Sequence, residues 1–127
     1  MGMFNSILLV AIGGAFGAVA RYAVSISPLK TLSAQFPIPT FSVNMLGSFF
    51  IGLGMIYFTN RVEDNEALKL ALFSGFLGSF TTFSAFQFEI YELIRDGNYV
   101  NAFLYASASL VVGLIGLFLG MLLGKAL

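Results

Sequence analysis

The string Gly75-Phe76-Leu77-Gly78-Ser79-Phe80-Thr81-Thr82-Phe83-Ser84-Ala85-Phe86 gathers the residue types that could do chemistry in this chain. Two glycines, four hydroxyl side chains and phenylalanines at short intervals interrupt an apolar stretch long enough to cross a bilayer. That is a poor recipe for a continuous helix. Non-helical backbone at membrane depth is tolerated only where protein buries it or where it lines a watery path, so the segment is the first candidate for a site. Its chemistry is that of neutral donors. Hydroxyls, backbone N–H groups and the positive edges of benzene rings can all suit an anion. Phe83 and Phe86, three apart, project from neighbouring angles of one helical face. A broken helix also points N-terminal N–H groups into the membrane, where they favour negative charge.

Other polar residues fall within apolar stretches. Asn44 follows Thr40 by four residues, so the two share one side of a helix. Asn101, Tyr105 and Ser109 repeat that spacing and make a polar stripe. Such groups also serve as hydrogen-bonding glue between helices. For Asn44 a pathway role is favoured, because a buried carboxamide is costly without a partner. Arg21 lies at the end of the first apolar stretch, placed either to snorkel to the interface or to attract an ion. Glu89 lies six residues beyond Phe83, toward a water-facing end. No carboxylate occupies the middle of a span, so the intramembrane acid that a proton-coupled exporter would use has no obvious counterpart. Histidine and cysteine are absent, which removes the commonest general base and metal ligand as well as disulfides and thiolate sites.

The elements that must position these residues are membrane helices. The 127 residues are 58% hydrophobic and 9% charged, against about 25% charged in soluble domains, and the mean hydropathy is +0.93. Net charge is zero with no basic block, so nucleic acid is not expected as a partner. Four spans are expected over about 4–24, 40–59, 66–95 and 99–124, in one four-helix domain. The small-x-small Ala18-Val19-Ala20 resembles a cleavage site, but no basic residue precedes the apolar run, so a retained first span is expected rather than a signal peptide. A connector holding Pro28, Pro37 and Pro39 joins the first two spans. Residues 60–65 form a polar loop in which Asp64 or Asn65 can cap the next helix, and Gly97 suits a left-handed helix end. The third span is too long: thirty residues of helix would extend about 45 Å across a ~30 Å core. A break near 75–83 resolves the excess.

Four spans place Arg61, Lys69 and Lys125 on one side and Arg21, Lys30 and Arg95 on the other. With no Lys/Arg asymmetry to orient the chain, insertion both ways and an antiparallel dimer are expected. Small residues at Gly13/Gly17, Gly47/Gly54 and Gly116/Gly120/Gly124 predict close helix packing, though no particular partner.

The chain resembles the Fluc (CrcB) family of fluoride channels. The resemblance covers nearly the whole length. It rests on Gly13, Gly14, Gly17 and Arg21 in the first span, Thr40, Asn44 and Gly47 in the second, and above all Gly75-Phe76-x-Gly78-x-x-Thr81-Thr82-Phe83-Ser84-x-Phe86. It implies an all-α, antiparallel, dual-topology homodimer in the lipid bilayer of the cell membrane, with two pathways that release cytoplasmic fluoride. Phe83 and Phe86 would line the route with ring edges, within a segment that also carries Thr82 and Ser84. Asn44 would donate to the anion, Tyr105 and Ser109 would continue the pathway, and Thr40 would stand beside it. Arg21 and Glu89 would sit near the vestibules. Backbone carbonyls of Gly78 and Thr81, from both subunits, would hold a structural sodium ion (Na+) at the dimer axis. A closed site of neutral oxygens suits such a hard cation. Ser79, Ala85 and Gly113 stand where the family commonly has glycine, a small hydroxyl residue and a further hydroxyl, respectively. The alternatives are a small dual-topology proton-coupled multidrug exporter and a purely structural membrane subunit.

Overall fold

Among the described residues, all regular secondary structure is helical. The structure, a computed structural model, describes residues 2–61 and 65–127, without the side chains of Asn60 and Arg61. Helix α1 runs Met3–Ser25 and is followed by a 3-10 turn, Pro28–Thr31. Helix α2 runs Ile38–Arg61. The arm α3 occupies 66–80 and has three parts: an α turn Glu66–Lys69, a π-helical stretch Leu70–Leu77 and an α turn Gly78–Phe80. Helix α4 runs Phe83–Arg95 and α5 runs Tyr99–Ala126.

Among the described residues, three regions are long and apolar enough to cross a membrane: Met3–Thr31, Ile38–Thr59 and Tyr99–Ala126. The third hydrophobic segment is not a fourth such helix, because it is divided. The arm α3 is separated from α4 by extended backbone at Thr81 (φ −84°, ψ 158°) and Thr82 (φ −150°, ψ 121°). A π-helix is rare and often sits at functional sites. Here one α turn, Gly78–Phe80, separates it from the break.

The ends of the segment are set by local chemistry. The Asn65 side chain accepts from the Leu68 N–H at 3.0 Å and caps α3; the other candidate cap, Asp64, and the middle of the expected loop lie outside the described residues. Gly97 takes φ +75°, which a side chain would disfavour. Its N–H donates to the Ile94 carbonyl at 3.0 Å and the Asn98 N–H to the Leu93 carbonyl at 2.8 Å, closing α4 in the paired-bond arrangement usual at glycine helix ends.

Glycines set how closely the helices approach. A methyl group at Gly13 would overlap the Ala71 carbonyl and one at Gly17 the Phe76 carbonyl, so α1 lies directly against the π-helical part of α3. On the other side, α2 packs along α5. Gly120 meets the Phe49 carbonyl, Gly124 the Leu53 carbonyl, and Gly52 the Leu117 carbonyl. Without a hydrophobic drive between helices in lipid, such close backbone contact supplies the packing energy. The buried apolar core is small, namely Val43, Leu77, Phe80, Ala102 and Tyr105, while many large apolar side chains face outward. That distribution suits a chain surrounded by lipid.

Candidate functional site

The break at Thr81–Thr82 is held by Asn44. Its Nδ2 donates to the Thr82 carbonyl at 3.1 Å, and its Oδ1 accepts from the Thr82 N–H at 2.8 Å. A single carboxamide from α2 thus satisfies both backbone groups of a residue outside any helix. One Nδ2–H of Asn44 remains for another acceptor. The Thr82 hydroxyl accepts from the Ala85 N–H at 3.3 Å and caps α4. Thr81 folds back, its N–H and hydroxyl both donating to the Leu77 carbonyl at 3.1 and 3.0 Å.

These bonds redirect two donors. In a continuous helix the Thr82 N–H would reach the Gly78 carbonyl and the Ala85 N–H would reach that of Thr81. Here the first goes to Asn44 and the second to the Thr82 hydroxyl. The Gly78 and Thr81 carbonyls lose those helical partners, and both residues line an open cleft.

One and a half turns beyond the break, Glu89 gathers two hydroxyls. Thr40 Oγ1 donates to its Oε1 at 2.6 Å and Tyr105 Oη to its Oε2 at 2.7 Å. Helices α2, α4 and α5 therefore meet at one carboxyl group. Hydrogen bonds this short, to a charged or chargeable acceptor, are among the stronger kind. Tyr105 is fully buried. Its ring takes the edge-to-face contact of Phe86, with centroids 5.1 Å apart and planes at 66°. Phe83 lies 5.9 Å from Phe86 but is 69% exposed and turned outward. Ser84 is also exposed.

Three clefts connect these groups. One, of about 310 Å³, is lined by Asn44, Gly47, Gly78, Thr81, Thr82 and Phe83. A second of the same volume is lined by Arg21, Thr40, Val43, Thr82, Ala85 and Glu89. A third, about 400 Å³, opens toward the connector and is lined by Lys30, Phe36, Thr40, Glu89, Glu92 and Asp96. Thr82 borders the first and second, and Thr40 with Glu89 the second and third. Two buried polar atoms have no partner among the described residues, Arg21 Nε and Ser109 Oγ. Arg21 borders the second cleft.

Asn44, Thr82, Gly78, Thr81 and Phe83 are thus brought to one cleft, and Arg21, Thr40 and Glu89 to the next. Tyr105 and Phe86 stand together beside Thr40 and Glu89. Ser109 sits one helical turn beyond Tyr105, joined to none of them by a hydrogen bond. Sequence reasoning passed over Phe36, in the proline-bearing connector, whose ring meets Tyr105 at 5.2 Å. Nothing in its spacing marks it. The pairing of Asn44 with Thr82 had a signal: a buried carboxamide and a non-helical residue each need two partners.

Fold and site together define a multi-pass membrane protein with neutral donors gathered around a broken helix. The chain belongs to the CrcB family: residues 8–121 match the family model described as CrcB-like protein, Camphor Resistance (CrcB). A Dehalococcoides mccartyi protein named "Fluoride-specific ion channel FluC" is 43% identical over 123 residues, covering 97% of this chain and 95% of the relative. Proteins of the same name from Acidobacterium capsulatum and a Roseiflexus species are 39% and 40% identical. They cover 93% and 91% of this chain, and 94% and 93% of their own lengths.

Proposed function

We propose that this protein is a fluoride-selective ion channel, not an enzyme, which lets cytoplasmic fluoride leave down its electrochemical gradient and so lowers fluoride toxicity. The observation that carries the reading is the series of clefts meeting at Thr82 and at Thr40/Glu89. It occurs in a chain whose relatives over more than nine-tenths of its length bear the name of such channels. Fluoride is strongly hydrated, so conduction needs successive donors that replace water without trapping the ion. Asn44 Nδ2, the Thr82 and Ser84 hydroxyls, the first-turn N–H groups of α4 and the ring edges of Phe83 and Phe86 supply donors around the break. Ser109 continues them, while Thr40 and Tyr105, whose hydroxyl protons go to Glu89, hold that carboxyl group beside the route. Arg21 raises the local concentration of anions at the second cleft.

In the finer reading, α3 and α4 together cross the bilayer as a broken fourth span, and two copies associate antiparallel. Two sodium-ligating carbonyls per copy, from Gly78 and Thr81, would then meet at the dimer axis. The donor set fits a sodium ion: both carbonyls have lost their helical partners, both border an open cleft, and both are hard oxygen ligands. When bound, the ion supplies positive charge that satisfies those oxygens and ties the copies together. The proton-coupled exporter is not favoured, since the relatives are named as channels.

Reconstituted in liposomes, the protein is expected to pass fluoride and largely exclude chloride. Phe83→Ile keeps an apolar side chain but removes the ring edge, and should suppress fluoride flux with the oligomer intact. Equal fluoride and chloride flux through the wild-type protein would overturn the proposal.

A further inference from the structure

We infer that Phe36 is a positioning residue for the pathway, acting through Tyr105; this rests on the channel reading above. The Tyr105 ring has two edge-to-face partners. Phe86 lies on it at 5.1 Å and 66°, Phe36 at 5.2 Å and 73°. Phe36 in turn takes the edge of Phe41 on α2, at 5.3 Å and 70°. The Tyr105 hydroxyl reaches Glu89 Oε2. A tyrosine ring has two torsions; contact with two neighbouring rings, on a side chain that is fully buried, restricts both, so Phe36 and Phe86 together help set the direction of the hydroxyl.

The connector is built to present Phe36 there. Ser33 Oγ accepts from the Gln35 and Phe36 N–H groups at 3.2 and 3.0 Å, folding the chain into a tight turn. Gln35 Oε1 accepts from Asn101 Nδ2 at 3.0 Å. Asn101 lies one helical turn before Tyr105, so neighbouring connector residues grip successive turns of α5. Phe36 also borders the outer cleft together with Thr40 and Glu89. It touches the mouth and the back of the hydroxyl cluster at once, whereas Phe86 holds the same ring from the side of the break. The connector is thereby part of the site, and a change in it alters which way Tyr105 can offer its hydroxyl.

The test is a mutant cycle read as fluoride efflux from liposomes, with dimer content and Tm measured on each protein. Phe36→Ala and Phe36→Leu should lower fluoride flux roughly two- to tenfold, the factor that corresponds to losing one aromatic pair. Phe36→Tyr should restore it. In a Tyr105→Phe background, which keeps the ring but removes the hydroxyl, Phe36→Leu should cost little more. A residue that only stabilises the fold would instead lower Tm and flux by the same factor in both backgrounds, and Leu would serve as well as Tyr. Equal losses in both backgrounds, or wild-type flux in Phe36→Leu, would overturn the inference. Absence of fluoride flux in the wild-type protein would overturn the channel reading itself. If Tyr105→Phe abolishes flux, the comparison of Phe36→Leu with Phe36→Tyr decides alone.

Discussion

Asn44 holds the break with a single side chain, and the proposed pathway gives the same carboxamide a second task. Its carboxamide replaces the helical partners that Thr82 lacks, through bonds of 2.8 and 3.1 Å. Leaving a buried donor or acceptor unpaired costs about 1–3 kcal/mol per group. Asn44→Ala strands two of them, part-buried and bordering an open cleft, and should lower stability by about 1–3 kcal/mol, seen as a fall in Tm in detergent together with lost fluoride flux. Asn44→Asp keeps an acceptor for the Thr82 N–H but sets a second oxygen against the Thr82 carbonyl, so it should also destabilise. Unchanged Tm in both variants would mean that the pairing contributes nothing. The need for a partner at Asn44 was readable from its chemistry, and an interruption within 75–83 from the length and composition of the segment, although Gly75 and Gly78 stay helical and only Thr81 and Thr82 leave the helix. The partnership of Asn44 with Thr82 was not, because it joins residues 38 apart in sequence and depends on where two helices cross. The convergence of Thr40 and Tyr105 on Glu89 was hidden for the same reason. In sequence Glu89 was merely a charge near a helix end, and Phe36 an apolar residue in a loop.

At the scale of elements, the arm α3 is positioned by glycines on its neighbour. Gly13 and Gly17 let α1 lie against the Ala71 and Phe76 carbonyls, and the break follows directly from the end of this packed stretch. Gly17→Ala would place a methyl group on backbone that cannot rotate away. Overpacking of this kind costs about 1–3 kcal/mol, and α1 must separate from α3 to relieve it. A lower Tm and reduced flux are expected, whereas Gly2→Ala, with open space around it, should leave both unchanged. Equal behaviour of the two variants would show that the close approach carries no weight. The all-helical class was legible from hydropathy alone, and Gly97 and Asn65 announced the ends of α4 and α3 through turn and cap chemistry. The count of uninterrupted spans was less so. Hydropathy registers 66–95 as one apolar run, but whether its backbone stays α-helical is decided by packing against α1 and α2. The π geometry of Leu70–Leu77 has no composition signal of its own.

At the scale of the whole molecule, the proposed association has to follow from insertion. With α3 and α4 read as one broken span, the chain places three Lys/Arg residues on each side, so the rule that orients membrane proteins has nothing to act on. Copies inserted both ways can then meet with their Phe83-bearing faces together, covering a ring that is 69% exposed in one protomer. A tag after Leu127 should accordingly be reachable from both sides of the membrane in similar amounts. Two lysines added beside that tag should bias the chain to keep its C-terminus in the cytoplasm. The biased protein should then insert one way, lose its antiparallel partner and conduct little. Co-expression with a copy biased oppositely, by lysines near Asp96, should restore flux. The added charges are far from the break, so a merely local injury by the lysines would not be repaired by a second copy. A single orientation in the wild-type protein, or full conduction by one biased copy alone, would sink the antiparallel arrangement while leaving the permeation chemistry of the protomer as it stands.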